Sequence, residues 1–568
     1  MLSQAKEQQS GGKRFLDWHR RLSLDNWRGD LFGGLTTAIV SLPMALAFGV
    51  ASGAGPVAGL YGAVCVGFFA ALFGGTPTLI SEPTGPMTVM MTAVVANVTA
   101  RYPEQGLGPA FTVVMLGGLF QILFGSLKLG KYITLMPYSV ISGFMSGIGW
   151  IMILLQIPPL LGHASQGGVI GAVQNLPTYL LNLKIPELGL GLLTLAILFG
   201  YPKPWRRVVP PQLVALLVGT LAASLFMADW DLRRIGPIPT GLPQLQWPQL
   251  PFASLANLVL DGVVLGMLGC IDTLLTAVIA DNLTRTRHDS DQELIGQGIA
   301  NLVSGFLGGL PGAGATMGTV VNIQSGGRTP LAGITRALIL LMVVLFAAPL
   351  TQGIPMAVLA GIAFKVGVDI LDWSFLKRAH RLSLKGAAIM YGVMFMTVFV
   401  DLIAAVGVGV FVANLLTIQR LSELQAEEVK AITDADDAVD LTPREKELLR
   451  QGRGQVLLFY LSGPMIFGVS QAISRQHQAV ASCQALVLDL SDVPMLGVSA
   501  TLSLENAIRE ALDQRKQVWI VGAKGRIRQR LESLHLPLPA ERFVESREAA
   551  LAEAVAHLGL AAKPSPLV

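Results

Sequence analysis

The sequence predicts a polytopic α-helical membrane protein with a smaller α/β domain at its C-terminus. Of its 568 residues, 52% are hydrophobic and only 14% are charged, and the mean hydropathy of +0.57 exceeds that of an ordinary soluble domain. The apolar excess is confined to the stretch between residue 31 and about residue 419. We therefore expect a cytoplasmic N-terminal segment (1–30), a transmembrane domain (31–418), and a linker with the tail domain (419–568).

Apolar runs recur along the membrane region at the length that a bilayer requires. A spanning helix needs about 20 apolar residues, and about fourteen candidate segments are present, several of them too short to cross alone. They begin near Leu31, Val57, Met87, Pro109, Val140, Leu188, Leu213, Leu255, Leu294, Thr316, Leu331, Met356, Ala387 and Asp401. An even number of crossings places both termini on one side of the membrane.

Short basic loops indicate which side that is. Lysine and arginine in short gaps between apolar runs mark the cytoplasmic face, although such residues can also serve only to solubilise a loop. The clusters are Lys128 with Lys131, Lys203 with Arg206 and Arg207, Arg285 with Arg287, and Lys377 with Arg378 and Arg381. We expect a multi-pass protein of a bacterial inner membrane, embedded in the lipid bilayer with both termini in the cytoplasm.

The tail alternates strand-like and helical patterns, which is typical of a small α/β domain. The strand-like runs are 455–461, 485–490 and 517–521, and the helical or amphipathic stretches are 500–515, 526–534 and 546–558. The tail has no glycine-rich phosphate loop, no nucleophile elbow and no basic surface interleaved with aromatic residues. An enzyme, a membrane-anchored sensor and a nucleic-acid-binding protein are therefore disfavoured.

One sequence pattern occurs twice within the membrane region. In residues 72–89 and again in residues 306–320, an apolar helix ends in Gly-Gly, a loop with Pro, Gly and Thr follows, and a short apolar helix begins. The copies lie seven segments apart, and an odd number of crossings inverts the second copy relative to the first. This pattern indicates an inverted-repeat transporter.

Two short helices that start near the bilayer midplane from opposite sides would direct their N-termini at each other. Each N-terminus offers unpaired backbone N–H groups and a partial positive charge, so the pair would bind a small anion without a basic side chain. The alternative is that Gly-Gly-x-Pro marks only a helix–loop junction. Its occurrence at matched positions favours a binding site.

An ionisable residue inside a spanning segment costs free energy to place in the bilayer, so its presence indicates a functional site. Asp272 lies deep in the eighth segment, and Thr276 is four residues further, on the same helical face. These two oxygens, completed by a carbonyl near Gly314, could bind a hard cation such as Na⁺. A bound cation would remove the repulsion between Asp272 and an anion, which predicts Na⁺ or H⁺ symport. The alternative is that Asp272 is only hydrogen-bonded within the bundle.

Four stretches of the sequence resemble a known family, the SulP/SLC26 anion transporters. The resemblance rests on residues 136–149, on the two half-helix sequences at 78–88 and 312–328, and on residues 359–369. It covers nearly the whole chain, and within the family it is strongest to the cyanobacterial Na⁺-dependent bicarbonate transporters.

The resemblance implies a seven-plus-seven inverted repeat. Segments 1–4 and 8–11 would form a mobile core and segments 5–7 and 12–14 a gate, with elevator-like alternating access. It also implies a homodimer held partly through the tail, which resembles a STAS domain. The transported bicarbonate and Na⁺ would be the ligands, with no organic cofactor. A sulfate or other small-anion permease, coupled to H⁺ or Na⁺, is the alternative on the same fold.

Site residues follow from the same resemblance. Bicarbonate would lie between Thr84 and Gly85 on the third segment and Ala315 and Thr316 on the tenth. Na⁺ would bind Asp272, Thr276 and the backbone at Gly314.

In two places the sequence departs from the pattern of the family. Many animal relatives have an arginine where Gly318 stands here, which fits a cation-coupled symporter better than an exchanger. In the tail, residues 495–500 lack the Asp-Ser-Ser of bacterial anti-sigma antagonists. A phosphorylation switch is therefore not expected there, and a dimerising or regulatory role is favoured.

Overall fold

Long apolar helices follow one another through the membrane region of this computed structural model. The described residues are 24–133, 137–165, 168–202, 204–205, 209–227, 229–236, 243–249, 255–347, 351–400, 402–434, 439–466 and 482–560. Most of the predicted N-terminal segment lies outside them, as do Met136, Asp401 and the basic cluster Lys203, Arg206 and Arg207. The chain divides into two compact units, Met1–Phe411 and Val412–Val568. The boundary expected from the sequence, after residue 418, stays a prediction.

Within the described ranges, a helix begins within four residues of each predicted segment start. The helices are α1 (Trp27–Ala51), α2 (Pro56–Phe73), α3 (Gly85–Arg101), α4 (Gly108–Ser126), α5 (Tyr138–Leu160), α6 (Ile185–Gly200), α7 (Pro211–Phe226), α8 (Leu255–Thr284), α9 (Ser290–Phe306), α10 (Thr316–Gln324), α11 (Pro330–Met342), α12 (Met356–Ile370), α13 (Leu384–Phe399) and α14 (Leu402–Glu427). Short helices at Gly130–Ile133, Gly168–Gln174, Leu176–Leu181, Trp373–Leu376 and Ala379–Leu382 lie in the connections.

The helices differ in whether they could cross a bilayer alone. Six in the described part of the chain are long and apolar enough to do so, and four more are apolar but shorter. With nine residues, α10 is only about 13 Å long, less than half of the roughly 30 Å hydrocarbon core. The sequence correctly predicted that some segments are too short to cross alone. The number of crossings and the seven-plus-seven repeat stay predictions.

Glycines let the membrane helices approach closely. A Cβ on Gly118 of α4 would lie 2.6 Å from the carbonyl oxygen of Gly298 on α9, and a Cβ on Gly298 would lie 2.6 Å from the carbonyl oxygen of Gly118. Gly149 of α5 and Gly367 of α12 face each other in the same way, at 2.7 and 2.9 Å. Small residues are the usual means of helix association in lipid, where hydrophobic burial gives no driving force.

The tail is a five-stranded sheet covered by helices on both faces. Two short strands, β1 (Ser81–Glu82) and β2 (Ala313–Gly314), belong to the membrane unit, and those of the tail are β3 (Val429–Ile432), β4 (Val456–Ser462), β5 (Ala485–Asp492), β6 (Gln517–Val521) and β7 (Phe543–Val544). The tail strands are hydrogen-bonded in chain order; β3 runs antiparallel to β4, and the remaining neighbours are parallel. The covering helices are α15 (Pro443–Gln451), α16 (Val498–Asp513), α17 (Gly525–Ser533) and α18 (Arg547–His557). The sequence predicted the α/β class and the three central strands, but not β3, β7 or α15.

Candidate functional site

The two repeated loops are joined by a short antiparallel sheet in the membrane unit. Strand β1 (Ser81–Glu82) pairs with β2 (Ala313–Gly314), with Ser81 opposite Gly314 and Glu82 opposite Ala313. The backbone N–H of Ala315 also donates to the carbonyl oxygen of Ile80 at 2.8 Å. Strand β1 leads into α3 and β2 leads into α10, so this pairing joins the two loops from which the half-helices begin.

Both half-helices begin from an extended residue whose side chain leaves the first turn uncapped. Thr84 precedes α3 with φ −112° and ψ 165°, and Ala315 precedes α10 with φ −89° and ψ 111°. The first intrahelical bonds run from Thr88 N to the Thr84 carbonyl and from Thr319 N to the Ala315 carbonyl, both at 2.9 Å. The earlier N–H groups of each first turn therefore have no intrahelical acceptor, which suits a site for an anion.

The hydroxyl of Thr84 is directed at a carboxylate instead. Thr84 Oγ1 donates to Asp272 Oδ2 at 2.7 Å, and both residues are buried, at 8% and 7% exposure. Among the described residues, no cationic side chain forms an ion pair with Asp272. This hydrogen bond connects a residue expected to contact the anion with a residue expected to contact the cation.

Thr276 lies one turn further along α8 and contacts the other half-helix. Its Oγ1 donates to the Gly314 carbonyl oxygen at 2.8 Å and lies 3.0 Å from Thr316 Oγ1. The Gly314 N–H donates to Thr273 Oγ1 at 3.1 Å. A Cβ on Gly314 would lie 3.2 Å from the Thr273 Cα and from the Thr276 Cβ, so the glycine permits this close approach of β2 to α8.

All seven residues predicted for the two sites thus surround the junction of α3, α8 and α10. Thr84, Gly85, Ala315 and Asp272 are buried, whereas Thr316 is exposed at the start of α10. A Cβ on Gly85 would lie 2.3 Å from Ile370 Cδ1, so the start of α3 also packs closely against α12. Their roles in binding stay predictions.

The loop before β2 is held from behind by amides that the sequence reasoning did not consider. The Gly312 carbonyl oxygen accepts from Gln297 Nε2 at 3.0 Å and from Asn301 Nδ2 at 2.9 Å, and the Gly312 N–H donates to Asn301 Oδ1 at 2.8 Å. Both amides project from α9. Polar residues one turn apart in an apolar segment were the available signal.

A buried ion pair at β1 was also missed. Arg336 Nη2 of α11 lies 2.7 Å from Glu82 Oε2, and the two side chains are 0% and 3% exposed. An arginine in the middle of an apolar segment was visible in the sequence.

Two half-helices begin beside α8, which carries a buried carboxylate, within a bundle of apolar helices. This arrangement defines a multi-pass membrane transport protein. The chain belongs to the sulfate permease family, whose profile matches residues 27–393. A STAS domain matches residues 448–543. It is therefore a permease rather than an enzyme, and its tail is a STAS domain, as the sequence predicted.

Individual relatives are similar over almost the full length. The chain is 63% identical over 542 residues, 94% of this chain and 96% of the relative, to "Bicarbonate transporter BicA" of Picosynechococcus. It is 60% identical to the protein of the same name from Synechocystis, over 95% and 96% of the two chains. A solved structure of "the transmembrane domain of a cyanobacterium bicarbonate transporter BicA" is 62% identical with a TM-score of 0.65, covering 68% of this chain and 98% of that one.

A more distant structure supports the fold of the whole chain. Murine Slc26a9, described as an anion transporter in the inward-facing state, gives a TM-score of 0.81 and covers 98% of both chains at 18% identity. At that identity the likeness shows the fold alone. The fold class predicted from the sequence, helical membrane domain and STAS tail together, is thereby confirmed.

Proposed function

We propose that this permease takes up bicarbonate together with Na⁺ by symport. The observation that carries the proposal is that α8 contacts the starts of both half-helices. Asp272 accepts from Thr84 before α3, and Thr276 contacts Gly314 and Thr316 at the start of α10. The names of the relatives at 63% and 60% identity support bicarbonate as the anion.

The cation site in this proposal uses oxygen atoms only. Asp272 supplies the anionic ligand, Thr276 a hydroxyl and Gly314 a backbone carbonyl, and hard cations prefer such oxygen ligands. A buried carboxylate without a cationic partner is costly. Binding Na⁺ there lowers that cost, which gives the site its affinity for a cation.

The anion site uses the uncapped starts of α3 and α10 with the hydroxyls of Thr84 and Thr316. Bicarbonate both donates and accepts hydrogen bonds, so it can satisfy N–H groups and a hydroxyl oxygen together. With Na⁺ offsetting Asp272, bicarbonate leaves one net negative charge at the helix N-termini, whereas sulfate would leave two in the same low-dielectric space. Bound cation and anion therefore favour each other, which is the thermodynamic content of symport.

Alternating access in this proposal moves the two half-helices as one body. Strands β1 and β2 connect α3 to α10, so both halves of the site would travel together in the predicted core. Gly85 packs against Ile370 of α12, a helix of the predicted gate. That contact is where the core would slide past the gate.

The test is uptake of radiolabelled bicarbonate and of sulfate into proteoliposomes, with and without an inward Na⁺ gradient. Bicarbonate accumulation that requires Na⁺ supports the proposal; sulfate accumulation without bicarbonate accumulation contradicts it. Asp272→Asn should abolish Na⁺-driven uptake at normal protein abundance. Asp261→Asn, on the same helix, is the matched control and should transport. Retention of Na⁺ dependence in Asp272→Asn would refute the cation site.

The orientation and the homodimer belong to the same proposal. We place both termini in the cytoplasm of a bacterial inner membrane, because the loops with Lys128 and with Arg287 precede odd-numbered helices and are basic. A cysteine at position 128 should resist a membrane-impermeant maleimide in intact cells, whereas one at position 106 should react. Light scattering of the detergent-solubilised protein should give two copies, and fewer dimers once the chain is truncated after residue 427.

A further inference from the structure

Arg336 is a fully buried arginine with three partners at the back of β1. Its Nε donates to Ser41 Oγ of α1 at 2.9 Å, its Nη1 to the Ser81 carbonyl oxygen at 2.9 Å, and its Nη2 to Glu82 Oε2 at 2.7 Å. A Cβ on Gly67 of α2 would lie 2.4 Å from Nη1, so that glycine leaves the room that the guanidinium occupies. An arginine inside a membrane domain is expensive and is retained for a reason.

Glu82 uses only half of its carboxylate in this pair. Its second oxygen, Oε1, is buried and has no hydrogen-bond partner among the described residues. A Cβ on Gly318 would lie 3.3 Å from Oε1. Gly318 is the third residue of α10, within the turn whose N–H groups lack intrahelical acceptors. The second oxygen therefore faces the start of the half-helix that, in the proposed function, binds the anion.

The charges around the site are then two carboxylates and one guanidinium. Asp272 reaches the site through Thr84, which follows Glu82 by two residues, and Arg336 offsets Glu82 from the opposite side. Such charges act strongly on one another because the surroundings are of low dielectric. If Arg336 did not offset Glu82, the anion would face two negative side chains.

We propose that Glu82 and Arg336 are positioning residues that set the balance between anion and cation affinity at the transport site. Arg336 fixes β1 through the Ser81 carbonyl and cancels the charge of Glu82. The carboxylate that attracts the coupling cation is then that of Asp272 alone. This inference rests on the proposed function. It requires that deleting one charge of the pair shifts the two affinities in opposite directions.

The experiment measures half-saturation constants for bicarbonate and for Na⁺ in proteoliposomes of known protein content. In Glu82→Gln the unopposed Arg336 should lower the constant for bicarbonate and raise that for Na⁺, each on the order of tenfold for a unit charge about 10 Å away. Arg336→Gln should do the reverse. The double variant Glu82→Gln/Arg336→Gln, which leaves no net charge, should return both constants to within about threefold of the wild type.

A purely structural pair gives a different result. It would leave both half-saturation constants unchanged or move them in the same direction, and either result in a single variant that folds overturns the inference. A lone buried charge lowers folding stability more than deletion of the whole pair does. If a single variant does not fold, the double variant and Arg336→Lys therefore provide the test. Both of these should keep the wild-type constants, and a tenfold change in either constant overturns the proposal.

Failure of this inference is distinguishable from failure of the proposed function. Absence of Na⁺-driven bicarbonate uptake in the wild-type protein refutes the function itself. If the wild type carries sulfate instead, the same constants are measured with sulfate, and the opposite shifts are still required. Asp272→Asn, measured in parallel, reports on the cation site and not on the pair.

Discussion

Replacing Thr276 with valine removes one hydroxyl from the centre of the proposed cation site at almost constant volume. That hydroxyl is fully buried and lies 2.8 Å from the Gly314 carbonyl oxygen and 3.0 Å from Thr316 Oγ1. The substitution removes one ligand oxygen from a cation, and a polar interaction with a charged group is worth about 2 kcal/mol, so Na⁺ binding should weaken by about that amount. We therefore expect the half-saturation constant for Na⁺ to rise about 30-fold.

The assay is the Na⁺ dependence of initial bicarbonate uptake, normalised to the protein present in the membrane. Thr276→Ser keeps the hydroxyl and should stay within about threefold of the wild type. Thr397→Val is a matched control, since Thr397 is a buried threonine on α13 whose hydroxyl donates within its own helix, to the Val393 carbonyl. An unchanged Na⁺ activation curve in Thr276→Val, or an equal shift in Thr397→Val, would refute the reasoning.

Three further outcomes are expected. Gly85→Ala should reduce uptake about tenfold at normal abundance, because the new Cβ overlaps Ile370 Cδ1, and adding Ile370→Ala should restore it; no rescue would contradict a steric cause. Arg547→Met should destabilise the tail by about 3–5 kcal/mol, since it leaves the fully buried Asp489 without its cation, and limited proteolysis in urea measures this. Burial and a hydrogen bond to a carboxylate raise the pKa of Tyr460 to about 12. The folded pKa lies above the usual value of about 10. This phenol should therefore leave tail stability unchanged with pH near neutrality and lower it as pH rises from 10 to 12. Tyrosinate absorbance follows the ionisation of the phenol over that range.

Much of the fold was predictable because a bilayer imposes strong rules on sequence. Each apolar run must be a helix, so its start can be read to within a few residues; α12 was expected near Met356 and begins there. In the tail the same reasoning found β6 at its observed bounds. It missed β3, which is four residues long and follows directly on α14, and β7, which has only two residues. Neither is long enough to show a period.

The neighbourhood of the candidate site was predictable to a comparable degree, for a different reason. A repeated loop and a deep carboxylate placed the starts of two short helices near Asp272, and the family resemblance supplied Thr84 and Thr316. The residues that hold them in place were not found, because Arg336 is paired with a residue 254 positions away. No local pattern encodes such a contact. The hydrogen bond from the Thr84 hydroxyl to Asp272 was not predicted either.

The pairing of β1 with β2 has a consequence for how the protein is made. Glu82 is synthesised long before Ala313, its partner in the sheet, and before Arg336, its counter-ion. During translation the first repeat therefore enters the membrane with an unpaired carboxylate and an unpaired strand edge, both of which are unfavourable in lipid. We expect nascent chains that stop before α11 to be degraded or retained by the insertion machinery. Synthesis of α11 is then the step after which both the carboxylate and the strand edge have their partners.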